Sequence, residues 1–294
     1  MRKHLLFFTI LSLSFGLYGQ QIPPLSQYMY NHYSINPAAT GITGELPLSF
    51  TYRKIWAGIS ESPSVQYLSG NMNVAESMGA GVNIFNYQAG PLRKTGIELT
   101  YSYHLELNPE MKLAFGLSGL IYQFNLKKSE LNVEDPNDPI FTGEEKMIIP
   151  DASFGTYLYG ANYYVGLAVP QLFNRNIDLK SDNILQEKQV RHYYLLGGYD
   201  FKINQDLMLK PSVLLKFIEA GLFQADINAQ LEYKDAFIFG LSYRSSDAIV
   251  FRLGFKYEDL LFGYSYDLCI SGLSASTFGS HEIYVRYTLP NFIR

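Results

Sequence analysis

Alternation at period two runs through most of this chain and limits its fold more than any other feature. In LFQADINAQLEY, Phe223, Ala225, Ile227, Ala229, Leu231 and Tyr233 fall on one face. Gln224, Asp226, Asn228, Gln230 and Glu232 fall on the other. In GIELTYSYHLEL, Ile97, Leu99, Tyr101, Tyr103, Leu105 and Leu107 oppose Glu98, Thr100, Ser102, His104 and Glu106. FIFGLSYR, FRLGFKYE, LFGYSYDLC and EIYVRYTL repeat the pattern. Successive side chains of a strand point to opposite faces, so each segment reads as a strand with one apolar and one polar face.

A soluble sandwich shares that pattern, but three features favour a transmembrane antiparallel β-barrel. The segments run well past the roughly 5–6 residues of an average globular strand. Their polar faces carry Glu, Asp, Gln, Arg and Lys, as a wet lumen would. Their apolar faces often end in Tyr or Phe, where interfacial girdles belong. About fourteen strands are expected, near 46–54, 63–74, 78–88, 94–107, 110–127, 148–159, 161–169, 188–202, 206–219, 222–234, 236–245, 247–258, 260–271 and 280–289. An even total suits a closed bacterial barrel. With a periplasmic N-terminus, short turns near Ala75–Glu76, Asn108–Pro109, Gly160, Asn204–Gln205, Lys234–Asp235 and Glu258–Asp259 share the periplasmic side. The two longest connections, 128–147 and 170–187, fall on the other side.

Composition agrees. Charged residues are 17% of the chain, against about 25% in a soluble domain, while aromatics reach 15%, with 24 Tyr and 20 Phe. Such a chain presents its surface to something other than water. Residues 1–20, MRKHLLFFTILSLSFGLYGQ, read as a signal peptide: Arg2 and Lys3, then the apolar run Leu5 to Leu17, then small Gly19. That run falls short of the ~20 residues of a spanning helix. Removing Arg2 and Lys3 from the 23 basic residues leaves 21 against 27 acidic, a net charge of −6. With no basic patch, nucleic acid is not an expected partner. Cys269 is the sole cysteine, so no intramolecular disulfide can form. The organisation expected is 1–20 signal peptide, 21–45 a segment in or capping the lumen, and 46–294 the barrel.

Chemistry-bearing motifs are sparse. His4, His32, His104, His192 and His281 are scattered without ligand spacing, and no cofactor or metal is expected. Outer-membrane lipases use a Ser–His pair on the barrel wall, but the sequence does not pair His104 or His281 with a serine, and no enzyme is expected. The 127–146 connection holds Glu130, Glu134, Asp135, Asp138, Glu144 and Glu145. Those oxygens suit Ca²⁺, yet without calcium-loop spacing a solvated acidic loop is the simpler reading. Trp56, the single Trp, reads either as an interfacial anchor or as a specific packing or partner site.

SQYMYNHYSINPAATG, residues 26–41, follows the leader and has no period at all. It resembles the N-terminal signature of the PorP/SprF family, outer-membrane proteins of the type IX secretion system of Bacteroidetes. Gln27, Tyr28, Met29, Asn36, Pro37, Ala38 and Gly41 carry the match. Arg53, Trp56 and Pro63 match the next element, with one residue more between Arg and Trp than the family's Arg-Gln-Trp. Tyr266, Asp267, Ser274, Gly279, Ser280, His281, Glu282 and Ile283 match its closing run. The chain ends PNFIR, where Phe292 stands nearest to the terminal aromatic common in barrels. The resemblance implies a fatty-acid-transporter-like barrel of fourteen strands in the outer membrane of a Gram-negative bacterium. It implies accessory work with other type IX components, delivering or anchoring a large secreted adhesin or repeat protein, in some members for gliding motility. The alternatives are a transporter of hydrophobic small molecules and a passive porin. Tyr, Asn and Gln suit a lumen-filling segment, because they pair packing area with hydrogen-bonding groups.

Overall fold

The computed structural model describes residues 25–131, 143–173, 176–178, 186–188, 190–219, 221 and 223–290. The expected signal peptide, much of the acidic connection and Phe292 lie outside the described residues.

The wall runs through β1 (Leu46–Lys54), β2 (Ser64–Ala75), β3 (Met78–Ala89), β4 (Leu92–Asn108), β5 (Met111–Lys127), β6 (Glu144–Gly160) and β7 (Tyr163–Val169). After a separate two-strand hairpin of β8 (Asn176–Asp178) and β9 (Gln186–Lys188), it resumes with β10 (His192–Tyr199) and β11 (Phe201–Lys202). These two are one stave, and the Asp200 N–H between them donates to the Asn162 carbonyl at 2.7 Å, in the register of the β7–β10 pairing. β12 (Leu207–Ile218), β13 (Phe223–Tyr233), β14 (Phe237–Arg244), β15 (Ala248–Tyr257), β16 (Leu260–Cys269) and β17 (Ser280–Leu289) complete it. Neighbours pair antiparallel all round. The ring closes where β1 meets β17, from Leu46↔Leu289 to Lys54↔His281. Fourteen staves therefore form one closed barrel, and closure removes the free edges that an open sheet would expose.

The molecule is inside out relative to a soluble protein. Outward Leu99, Leu117, Ile227 and Leu253 are 61%, 57%, 59% and 57% exposed. On the same strands Ser102, Asp226 and Arg252 are buried. An apolar exterior of this extent needs lipid rather than water, which removes the sandwich alternative. Aromatic pairs mark both rims, as girdles do: Phe217 and Phe223 at 5.0 Å at one end, Tyr199 with Phe201 at 4.5 Å and Phe237 with Phe255 at 5.3 Å at the other. The second end carries the tight turns. Lys234 and Asp235 there have φ of 54° and 51°, as the mirror-image turns of short hairpins require.

Most strand ends differ from expectation by one or two residues, as where β4 begins at Leu92 rather than 94, and two differ by four: β6 begins at Glu144 rather than 148, and β10 at His192 rather than 188. The charge of 144–146 reads as loop, but cross-strand pairing prevails. Glu144 and Glu145 face Lys127 and Leu126 in register, and the lysines answer the carboxylates: Lys128–Glu145 at 2.7 Å and Lys146–Glu144 at 2.6 Å. Lys127 likewise holds Glu130 at 2.7 Å. The described acidic groups of this connection are thus paired with lysines rather than gathered for a cation.

Candidate functional site

Residues 25–44 run inside the barrel, from the end with the long connections to the end with the turns. They form three short 3-10 turns, Tyr28–Tyr30, His32–Ser34 and Pro37–Ala39. Pro37 cannot donate to a ladder, but it suits the first position of a helical turn. Asn36 caps that turn, its Oδ1 accepting from the Ala38 N–H at 2.9 Å. Its Nδ2 donates to the Thr156 carbonyl at 3.0 Å and the Leu167 carbonyl at 3.2 Å, on two strands at once.

The wall is shaped to receive this backbone. Gly79, Ser102, Gly116, Gly155 and Ala168 are register partners across β3 to β7, a row of small residues. A Cβ added at Gly116 would lie 2.2 Å from the Ala38 nitrogen, and one at Gly155 would lie 2.1 Å from Asn36 Oδ1. Lower in the lumen the Thr40 carbonyl accepts from Ser102 Oγ at 2.8 Å and meets His104 Nε2 at 2.9 Å. The Gly41 N–H donates to Asn71 Oδ1 at 2.8 Å. Its φ of +75° is open to glycine and strained for most other residues.

Ser102 and His104 do form a pair, at 3.0 Å. Ser102 is wholly buried and its hydroxyl is engaged by Thr40, while His104 Nδ1 meets Tyr159 OH at 2.8 Å. The pair holds the plug.

Mid-lumen contacts are aromatic. Tyr33 OH donates to Thr100 Oγ1 at 2.9 Å, Asn228 Nδ2 donates to Tyr28 OH at 2.7 Å, and Tyr157 OH lies 2.7 Å from His32 Nδ1. Burial pushes the His32 imidazole down to about 4, with Lys210 acting the same way. Burial, with Asp226 nearby, holds the Tyr28 phenol above its usual range.

At the long-connection end the plug is bound by charge. Glu282 takes the Ser26 and Gln27 backbone N–H groups on its two oxygens, at 2.7 and 2.9 Å. Arg53 reaches Glu282 at 3.0 Å and Asp267 at 2.8 Å, and it also donates to Ser26 Oγ. Ser26 Oγ donates to Asp267 at 2.7 Å. Arg244 continues the chain to Asp267 at 3.1 Å and Asp226 at 3.2 Å, and Lys216 meets Asp226 at 3.1 Å. Three cations and three carboxylates, each at most 6% exposed, therefore neutralise one another around Ser26. Ions this deep persist only when paired and hydrogen-bonded. At this end the polar faces of the lumen are packed as ion pairs.

Residues singled out from the sequence fall into three groups. Gln27, Arg53, Asp267 and Glu282 converge at the charged anchor, and Tyr28, Asn36, Pro37, Ala38 and Gly41 meet the wall. Met29 packs half-buried against the Tyr28–Ile35–Ala38 cluster. Trp56, Pro63, Gly279 and Ser280 form a rim: the Trp56 N–H donates to Ser280 Oγ at 3.1 Å, Ala57 N–H to the Gly279 carbonyl at 2.7 Å, and Ile55 N–H to the Pro63 carbonyl at 2.8 Å. Trp56 packs, partly buried, against the Leu25–Ile55–Val65–Tyr87 cluster. The Tyr266 and His281 rings meet at 5.2 Å, tilted to each other, on the outward side of the same rim, and Ser274 is exposed in a turn away from the plug. Sequence reading missed Lys216, Asp226 and Arg244 as members of this network. Their signal was available: charges on the lumen face near strand ends, spread over separate strands. Among the described residues no group of His, Cys, Asp and Glu could hold a metal ion.

Comparison with known proteins places this architecture. No curated protein matches the chain. The barrel is similar to the crystal structure of a Pseudomonas aeruginosa FadL homologue, at 11% identity, with 92% of this chain and 95% of that one covered and a TM-score of 0.52. It is also similar to the Ralstonia pickettii toluene transporter TbuX, at 10% identity over 89% and 92% of the two chains, with a TM-score of 0.49. Identities this low speak to fold alone. The family described as "Type IX secretion system membrane protein PorP/SprF" matches residues 17–287, and with most of its length inside that match, the chain belongs to the PorP/SprF family.

Proposed function

We propose that this protein is a non-enzymatic, plugged barrel of the outer membrane that assists the type IX machinery in delivering or surface-anchoring a large secreted partner, such as an adhesin or repeat protein. Residues 1–20 act as a signal peptide in this reading, removed before the barrel enters the membrane. The long connections face outward, and the rim of Trp56, Gly279 and Ser280 lies on that side. The observation that carries the reading is the lumen itself. A segment held at both ends of the barrel, by Glu282 and by Asn71, occupies lumen that a porin would leave to water. Work done at the rim, on a partner held there, suits such a body better than conduction.

A transporter of hydrophobic small molecules is the second reading. It is favoured by a cavity of about 480 Å³ at the turn end, lined by Tyr30, His32, Tyr157, Tyr164, Lys210 and Glu232. A deletion strain separates the two. Loss of one large protein from the cell surface, restored by the wild-type gene, supports the accessory role. Unaltered secretion with impaired uptake of an apolar solute supports the transporter.

A further inference from the structure

A second cavity, of about 140 Å³, lies between the plug and the wall toward the long-connection end. Leu25, Tyr33, Ile35, Tyr67, Phe85 and Leu120 give it an apolar lining. Pro170 and Gln171 border it. Its acidic group is Glu98, on the lumen face of β4. Asn83 Nδ2 donates to the Glu98 carboxylate at 3.0 Å, and the Ser118 and Ser153 hydroxyls bond it as well. Among the described residues no lysine or arginine pairs with it. The three carboxylates of the charged anchor all have cationic partners. Asp151 stands in the same row, two strands on, through Leu120, and adds its charge to that of Glu98. The Glu98 carboxylate thus borders the cavity with neutral hydrogen-bond donors and no ion-pair partner.

We propose that this cavity binds a small hydrophobic cation, a primary arylalkyl ammonium, with its ring among Tyr33, Tyr67 and Phe85 and its ammonium donating to Glu98. An apolar cavity of about 150 Å³ accepts a benzene-sized molecule, so the volume fits one ring with a short arm. A buried carboxylate is most stable when it is paired as well as hydrogen-bonded, and aromatic faces attract cations. The polar end of the ligand would supply the ion pair that the protein leaves open.

The test uses the full chain in lipid nanodiscs and two ligands of nearly one shape. Phenethylammonium carries the charge, and 2-phenylethanol does not. Calorimetry is expected to show saturable binding of phenethylammonium, at least tenfold tighter than 2-phenylethanol. Glu98→Gln keeps the side-chain volume and should cut phenethylammonium affinity at least tenfold while leaving 2-phenylethanol unchanged. Absence of saturable binding, or equal affinity for the two ligands in the wild type, overturns the proposal without recourse to any variant. So does a folded Glu98→Gln barrel that binds phenethylammonium undiminished.

Discussion

Arg53 and Glu282 face each other in register across the seam where the first strand closes on the last, and their side chains meet at 3.0 Å. The same carboxylate holds the plug through two backbone N–H groups. One ion pair therefore joins closure of the barrel to retention of the segment inside it. Residues 229 apart in sequence thereby depend on each other.

Breaking that pair has a predictable cost. Removing one partner of a buried, hydrogen-bonded ion pair destabilises by about 3–5 kcal/mol. Glu282→Ala should thus lower the temperature at which the barrel unfolds on a gel, and it should expose the segment after Leu25 to protease. Arg53→Ala should do the same through the other partner. Because both act on one network, the double variant should cost clearly less than the sum. Fully additive effects would count against a shared anchor.

The glycine row makes a steric prediction. Gly116→Val places side-chain atoms where the Ala38 backbone lies, since even a Cβ there would be 2.2 Å from its nitrogen. Overpacking of this kind typically costs about 1–3 kcal/mol. The barrel should still close, but the Asn36–Ala38 turn should leave the wall. A cysteine at Ala38, inert to a water-soluble maleimide in the wild type, should become reactive in the Gly116→Val background.

Asn36→Ala leaves the shape intact and removes the bonds. The Ala38 N–H loses its cap, and the carbonyls of Thr156 and Leu167 lose a shared donor. A buried group left unsatisfied costs about 1–3 kcal/mol, so heat stability should fall while the plug stays protected from protease. Asn36→Asp restores the cap acceptor but not the donor, and it should recover only part of the loss.

Acid should loosen the plug through His32. Its folded value is lowered to about 4, from an ordinary 6.5 in the unfolded chain. The unfolded chain takes up a proton first as pH falls. The contribution is therefore complete above pH 6.5 and is lost progressively between pH 6.5 and 4. Heat stability of the wild type should decline over that window, and His32→Gln should flatten the decline. An identical decline in the variant would assign the effect to other groups.

The wall is largely legible in the amino-acid sequence, because a period of two survives wherever one face meets lipid. The plug is legible as a piece lacking a strand period, with Pro37 as the reason. Its partners are not. Arg244 and Asp226 read as ordinary lumen charges, and only the closed ring brings them to Ser26. Gly116 and Gly155 look like weak points in their strands. Register turns them into the seat of Asn36.

The most direct measurement is single-channel recording in a planar bilayer. A lumen filled by residues 25–44 predicts that the purified wild type gives no porin-like steps. Steady conductance should appear when residues 21–41 are deleted, and it should appear intermittently in Arg53→Ala. Steps of porin size in the wild type, unchanged by that deletion, would contradict a plugged barrel.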